Sequence, residues 1–318
     1  MIKNFLIKAL VSFIKLLGMS DFKQQQLEAK ILSAKVCINQ MKMMPPVKKL
    51  SDSEFKVFSQ FGDDGILQYL IYHLNIPSRL QTFVEFGVEN YEESNTRFLL
   101  MNDNWRGFII DGDEKNMQFV RGSHYFWKYD LATKAAFIDA HNINDLILEA
   151  GFSGEIGILS VDIDGNDYWV WDKICVVNPV IVVAEYNGIF GSQYPLTVPY
   201  NSTFRRTQAH YSNLYWGCSL AALNHLSIKK GYTFAGCNSA GNNAYFVRSD
   251  YFNDSIPKPS LTDGFVDPKF KESRGVNGLL TFLTGASRLK EIRDLPLVNV
   301  VSGETYLISQ LYSGVIND

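Results

Sequence analysis

Two apolar runs in this chain stop abruptly on acids, and they restrict what it can fold into. Residues 156–167 read IGILSVDIDGND and residues 180–188 read VIVVAEYNG. Each opens with apolar, largely β-branched residues, as strands buried on both faces do, and each ends in turn-forming positions. Strands of that kind belong to parallel sheets covered by helices on both sides. Ligands bind in such sheets in the crevice beyond the carboxyl ends of the strands. Asp162 and Asp164 on one run, and Glu185 with Asn187 on the other, therefore mark a candidate site. Alternate residues of an extended strand face the same way, so each pair is expected to converge. Oxygen donors from two neighbouring strand ends are also a candidate seat for magnesium or manganese, since hard cations take several oxygen ligands.

The rest of the chain supplies the partners such a sheet needs. SDSEFKVFSQFG, from Ser51, reads as a capped amphipathic helix, followed by a turn at Gly62 and a second helix from Asp64. A strand is expected over Thr82–Phe86, a helix around Phe98–Leu100, and a strand ending at Asp111. A further strand is expected in YFWKYD, ending at Asp130, then a helix in NINDLILEAG. SLAALNHLSIKK reads as a helix stopped by Gly231, with two strands after it joined by GCNSAGNN as a hairpin. Alternation of this length predicts a doubly wound, mostly parallel α/β sheet with an antiparallel edge strand.

Three units are expected: an N-terminal helical extension (1–46), a core domain (47–250) and a C-terminal appendage (251–318), with a helical run in GVNGLLTFLTG. In MIKNFLIKALVSFIKLLG the polar residues Asn4, Lys8, Ser12 and Lys15 form a narrow arc. The lysines exclude a signal peptide, and the stretch is too short and charged to span a bilayer. It is read as packing against the body or a second subunit, in preference to lying on a membrane surface at residues 1–18. Leu27, Ile31, Ala34, Ile38 and Met41 step by fours and threes, a short seam that points to a homo-oligomer or to docking on the chain's own body. The net charge of −3 lacks the footprint of a nucleic-acid binder. Four cysteines without paired spacing read as free thiols of a cytoplasmic protein.

The ligand class follows from two strand ends. Gly87 closes Glu85-Phe86-Gly87, where the missing side chain lets a ligand approach the backbone. About twenty residues on, Asp111 ends the next strand, where an acid accepts hydrogen bonds from a ribose diol. The loop after Gly87 has no GxGxxG pattern and carries Glu89, Glu92 and Glu93. Those acids repel a pyrophosphate but tolerate a ligand bearing an amino group and a sulfonium, as S-adenosylmethionine does.

The series SQFGDDGIL, FVEFGVEN, SNTRFLL, NWRGFIIDGD, LSVDIDGNDYWVW, VVAEYN, TVPY and GCSLAALNHLSIKKGY, with a weaker echo in FKESR, resembles the FkbM-related S-adenosylmethionine-dependent methyltransferases of bacterial surface-polysaccharide biosynthesis. The resemblance implies a class I, Rossmann-like methyltransferase fold and methyl transfer to a sugar hydroxyl of a capsule or lipopolysaccharide precursor. By position it makes Glu85, Gly87 and Asp111 cofactor residues, places Asn95 and Asp130 around the cofactor, and lets Gln60 reach its methionine end. The layout is similar to that of catechol O-methyltransferase, whose metal ligands come from the fourth and fifth strand ends. There the second pair is adjacent, whereas Tyr186 separates Glu185 from Asn187 here.

A sugar hydroxyl has a pKa far above 7, so its proton must be polarised or removed. Asp162 and Asp164 are the candidates through a metal, and Asp164 also as a direct base. His210 is the best histidine candidate for general base. The aromatic segment from Ile189 to Gly217 is long for a compact domain and reads as an acceptor lid. Tyr194 and Tyr200 would contact the acceptor, and Arg205 and Arg206 a phosphate on a nucleotide sugar. Two rival readings stand beside this one. Asp162-Ile163-Asp164 is formally the DxD of metal-dependent glycosyltransferases, and a degenerate fold could serve as a membrane-associated scaffold.

Overall fold

The acid-tipped runs become neighbouring strands in the middle of a seven-stranded sheet. A computed structural model describes residues 19–316; the apolar segment 1–18, and with it the membrane-surface reading, lies outside the described residues. The strands are β1 (Thr82–Phe86), β2 (Arg106–Asp111), β3 (Leu131–Ala135), β4 (Gly154–Val161), β5 (Val177–Glu185), β7 (Tyr232–Cys237) and β8 (Asn243–Arg248). Their order is β3-β2-β1-β4-β5-β8-β7. The first five are parallel, while β8 runs against both β5 and β7. The expected doubly wound sheet is present, and its reversed strand stands one place in from the edge.

Alternation within the strands builds a core on each face. Val84 and Phe86 of β1 join Leu159 of β4 and Val182 of β5 on one side, whereas Phe83, Ile158 and Val183 point to the other. The helices that cover these faces include α2 (Asp63–Leu74), α3 (Arg97–Asp103), α4 (Glu114–Arg121), α5 (Ile143–Glu149), α6 (Asp167–Lys173) and, past the short α7 (Arg206–Ala209), α8 (Leu220–Lys229). Ser219 caps α8 by accepting from Ala222 N at 3.1 Å, and Gly231 at φ +83° turns the chain into β7. Chain order reverses between β1 and β4, so the crevice between their carboxyl ends is the switch point of the sheet.

Three expected elements differ. Residues 51–62 form no α-helix beyond a 3-10 turn at Leu50–Ser53. The amides of Val57, Phe58 and Ser59 donate instead to one carboxylate oxygen of Asp64, at 2.7, 2.8 and 2.9 Å, so they are unavailable to helical carbonyls. YFWKYD holds only a 3-10 turn, and the strand starts after it at Leu131, which puts Asp130 at the start of β3 rather than at its end. GVNGLLTFLTG is a glycine-rich turn bridged between Arg274 and Leu280, with Gly278 and Gly285 at positive φ, a poor frame for a helix.

The N-terminal helix α1 (Met19–Met43) docks on its own body. The seam of Leu27, Ile31, Ala34, Ile38 and Met41 meets Phe55, Val57, Phe58, Phe98 and Met101. The seam is thereby covered from within the chain. The tail and the lid also pack together. β6 (Leu196–Thr197) pairs with β9 (Pro296–Asn299), which pairs with β10 (Thr305–Leu307), and a third cluster of Phe190, Leu214, Tyr215, Leu289, Leu297 and Ile308 sits beneath them.

Candidate active site

A cleft of about 930 Å³ opens where β1, β2, β4 and β5 end, a size that suits a cofactor with an acceptor beside it. Its backbone frame is set by Gly87. At φ +70°, a Cβ there would lie 1.7 Å from the Asp162 carbonyl oxygen, so β1 and β4 approach more closely at their ends than any other residue permits. The loop after Gly87 is tied down by the two acids expected to hold cofactor. Glu85 is buried and accepts from Ser94 Oγ (2.6 Å), Asn95 N (2.8 Å), Thr96 N (3.2 Å) and Thr96 Oγ1 (2.5 Å). Burial nonetheless pushes its carboxyl above the usual range. Asp111 accepts from Glu89 N (2.9 Å), Asp113 N (2.8 Å) and Asn116 Nδ2 (2.9 Å) and still lines the cleft. Gln60, Gly87 and Asn95 line it as well, and Asn95 Nδ2 reaches Ser160 Oγ at 3.2 Å.

Asp130 lies elsewhere. At the opposite end of β3 it is exposed and faces Arg106 Nε at 3.5 Å. Ala136, Phe137 and Ile138, just past the true end of β3, take its place in the cleft wall. The side chain of Phe137, partly exposed and stacked against Arg205, is an aromatic surface that the misplaced strand had hidden from sequence reasoning.

The four expected metal donors do not converge. β5 ends at Glu185, and Asn187 enters a turn where the period of two no longer holds. Its amide nitrogen donates to Leu214 O (3.0 Å) and Trp216 O (2.9 Å), and its oxygen accepts from Ile189 N (3.1 Å). β4 likewise stops at Val161, and Asp164, at φ +54°, swings outward to meet Arg206 at 2.8 Å. Among the described residues no group of three or more His, Cys, Asp or Glu is arranged to hold a metal ion. This donor set does not fit magnesium or manganese.

The cleft floor holds a carboxyl pair instead. Asp162 and Glu185 stand side by side at the ends of β4 and β5, close enough for each to perturb the other's carboxyl. Burial raises both well above the carboxylate range, and mutual repulsion with the nearby Asp164 and Asp167 adds to it. Two adjacent carboxyls of this kind hold one proton between them. Asp167 shapes the loop beside them by accepting from Ile163 N (2.7 Å) and Gly165 N (2.9 Å). Its own carboxyl is pushed up to about 6, mainly by burial.

The lid contributes less, and differently, than expected. Arg205 lines the cleft and is exposed. Arg206 is committed: it meets Asp164, pairs with Glu272 at 3.1 Å, donates to Asn213 O at 2.9 Å and lies over the Trp216 ring. With its charge matched by two carboxylates, it organises the wall rather than awaiting a phosphate. Tyr194 and Tyr200 are not in the cleft wall. Tyr194 packs on Tyr312, and Tyr200 Oη accepts from Ala140 N at 3.2 Å. His210 is outside as well, its Nδ1 facing Ser212 Oγ at 2.8 Å and its ring against Tyr211. Partial burial lowers its pKa. Phe270 and Glu272 of the tail enter the wall instead, which is where the FKESR echo falls.

The summed charge of the cleft is its strongest chemical feature. Among the described residues nine acids line it (Glu85, Glu89, Glu93, Asp111, Asp113, Asp162, Asp164, Glu185 and Glu272) against Arg205 and Arg206. Such a lining attracts cationic groups and repels pyrophosphate.

No protein-family model matches the chain, and no curated protein does either. Among solved structures it is similar to a Staphylococcus aureus protein assigned as a caffeoyl-CoA O-methyltransferase, at 15% identity and a TM-score of 0.38, over 72% of this chain and 97% of that one. It is similar to TehB from Haemophilus influenzae at 12% identity and a TM-score of 0.31, over 59% and 68%. A Klebsiella pneumoniae protein assigned as an O-methyltransferase shares 11% identity at a TM-score of 0.37, over 67% and 96%. None of these likenesses is close enough to carry an activity or a substrate to this chain.

Proposed function

We propose that this chain is an S-adenosylmethionine-dependent O-methyltransferase of the FkbM-related kind, acting in the cytoplasm on a hydroxyl of a sugar or related small group destined for a bacterial capsule or lipopolysaccharide. The observation that carries this reading is the acid-lined cleft at the sheet's switch point, with Asp111 at the end of β2. Its residues fit the cofactor. Asp111 stands where a ribose diol is received, Phe137 offers a face to a base, and the surplus of acids suits a ligand with a sulfonium and an ammonium group. The same surplus disfavours a nucleoside diphosphate, and Asp162 and Asp164 diverge, which counts against the DxD reading.

When bound, the cofactor supplies an electrophilic methyl group on sulfur. The chain's task is to position the acceptor oxygen and take its proton. Asp162 is the group for that step, in place of Asp164 or His210. It faces the cleft at the end of β4, and its raised pKa brings it nearer the operating pH, where a base is most effective. It receives the hydroxyl proton as the carbon–oxygen bond forms and the carbon–sulfur bond breaks. Glu185 beside it, its carboxyl raised by burial and by the neighbouring acids, keeps its proton and so leaves one negative charge on the cleft floor. The lid and tail, clasped by Arg206, Glu272 and Asn213, form the wall that shields the reacting atoms from water.

Calorimetric titration tests the reading. S-adenosylhomocysteine is expected to bind with micromolar affinity, weakened at least tenfold in Asp111→Ala, while UDP and GDP with manganese give no heat. Binding of a nucleoside diphosphate that depends on manganese and Asp164, with none of S-adenosylhomocysteine, overturns it in favour of a glycosyltransferase.

A further inference from the structure

Among the described residues, three buried oxygens in the cleft wall lack a hydrogen-bond partner, on Asn166, Glu185 and Asn243, and the last two belong to residues that face each other. Glu185 on β5 and Asn243 on β8 are directly paired in the antiparallel ladder, so their side chains leave the sheet on the same face. Both line the cleft. Glu185 is 8% exposed and Asn243 4%. Among the described residues neither Glu185 Oε2 nor Asn243 Oδ1 accepts a hydrogen bond. Asn243 Nδ2 is spent on Asp63 Oδ1 at 3.0 Å, a contact that fixes the amide with its oxygen left over. Unpaired buried acceptors are costly, so each calls for a donor to complete it.

The charge around the two oxygens selects the kind of donor. Asp162 adjoins Glu185 and adds negative charge. Of the two cations of the wall, Arg206 is already taken by Asp164 and Glu272, and Arg205 lies over the Phe137 ring. A hydroxyl offers one proton, and a phosphate would be repelled. A primary ammonium offers three protons and a positive charge, which matches two acceptors beside a carboxylate.

We propose that Glu185 and Asn243 form an ammonium seat, and that the acceptor is an amino sugar, or another small amino alcohol, whose amino group docks there while its neighbouring hydroxyl meets Asp162. This rests on the methyltransferase reading and narrows its substrate class. An ammonium could also come from the methionine end of the cofactor, and the test separates the two sources.

The test titrates protein saturated with S-adenosylhomocysteine against glucosamine, galactosamine and 3-amino-3-deoxyglucose, each beside its plain-sugar and N-acetyl counterparts. At least one free amine is expected to bind about tenfold more tightly than both counterparts, as a charge-assisted hydrogen-bonded contact implies. Glu185→Met, which removes the acceptor oxygen at similar size, is expected to abolish that preference while S-adenosylhomocysteine binds as before. The proposal is overturned if the plain or N-acetyl sugars bind as tightly as the amines, if no free amine binds, or if Glu185→Met keeps the preference. A loss of S-adenosylhomocysteine affinity in Glu185→Met overturns it too, since the seat would then serve the cofactor. The wild-type comparison decides the matter even where the variant fails to fold. Failure of the methyltransferase reading is distinct: wild-type protein would not bind S-adenosylhomocysteine at all.

Discussion

Gly87→Ala is the sharpest perturbation of the cleft, because a single methyl group must displace the neighbouring strand end. Its Cβ would lie 1.7 Å from the Asp162 carbonyl oxygen and 2.9 Å from the carbonyl carbon, against roughly 3.5 Å for a relaxed non-bonded contact. The end of β4 must therefore retreat by more than an ångström, carrying Asp162 with it. The backbone at φ +70° adds strain of about 1–2 kcal/mol for a residue with a side chain. Overpacking of a tight contact adds about 1–3 kcal/mol. Alanine also lowers the entropy of the unfolded chain, which returns about 0.4–1 kcal/mol. The net loss expected is about 2–4 kcal/mol in urea denaturation, with S-adenosylhomocysteine binding weakened at least tenfold. Gly112→Ala is the control: it lines the same cleft, has ordinary φ, and a Cβ there meets nothing within 4 Å. Equal stabilities for Gly87→Ala and wild type, within about 0.5 kcal/mol, together with unchanged binding, would refute the close approach of β1 to β4.

Glu85→Gln leaves one of four donors facing an amide N–H and is expected to cost about 1–3 kcal/mol in the same assay. Arg206→Ala removes two partly exposed ion pairs and the packing on Trp216, and unclasps lid from tail; a loss of about 1–2 kcal/mol is expected, seen as a lower urea midpoint. Asp167 gives a pH signature of definite sign. The unfolded chain releases this proton near its ordinary 3.8, whereas the folded chain holds it to about 6. Folding is therefore favoured in acid, and the contribution disappears as pH rises through that window. Wild-type stability should fall between pH 4 and 6 by up to about 3 kcal/mol more than that of Asp167→Asn, measured by denaturation at each pH.

How far the sequence disclosed this arrangement depended on the range of the interactions involved. β1, β2, β4 and β5 were legible because buried apolar runs ending on Gly87, Asp111, Asp162 and Glu185 carry their own signal. β3 was not, since LATKA is a half-exposed edge strand with no apolar run, while the aromatics of YFWKYD imitate one. The loop over residues 54–62 escaped because its amides are claimed by Asp64, a contact no periodicity encodes. The metal set failed for a local reason. Both pairs were treated as extended, but the strands end at Val161 and Glu185, and beyond a strand end the alternation of faces lapses. Arg206, Phe270 and Glu272 depended on the tail folding back over the lid. The FKESR echo pointed to that segment without saying where it lands.

The central claim is that the cleft beyond β1, β2 and β4 receives S-adenosylmethionine, and diffraction from crystals grown with S-adenosylhomocysteine tests it most directly. The account predicts the ribose hydroxyls within hydrogen-bonding distance of Asp111, the base against Phe137, and the sulfur turned towards Asp162. A nucleoside bound anywhere else, or a cleft left empty at saturating ligand while the β4 and β5 acids gather a metal ion, would contradict it.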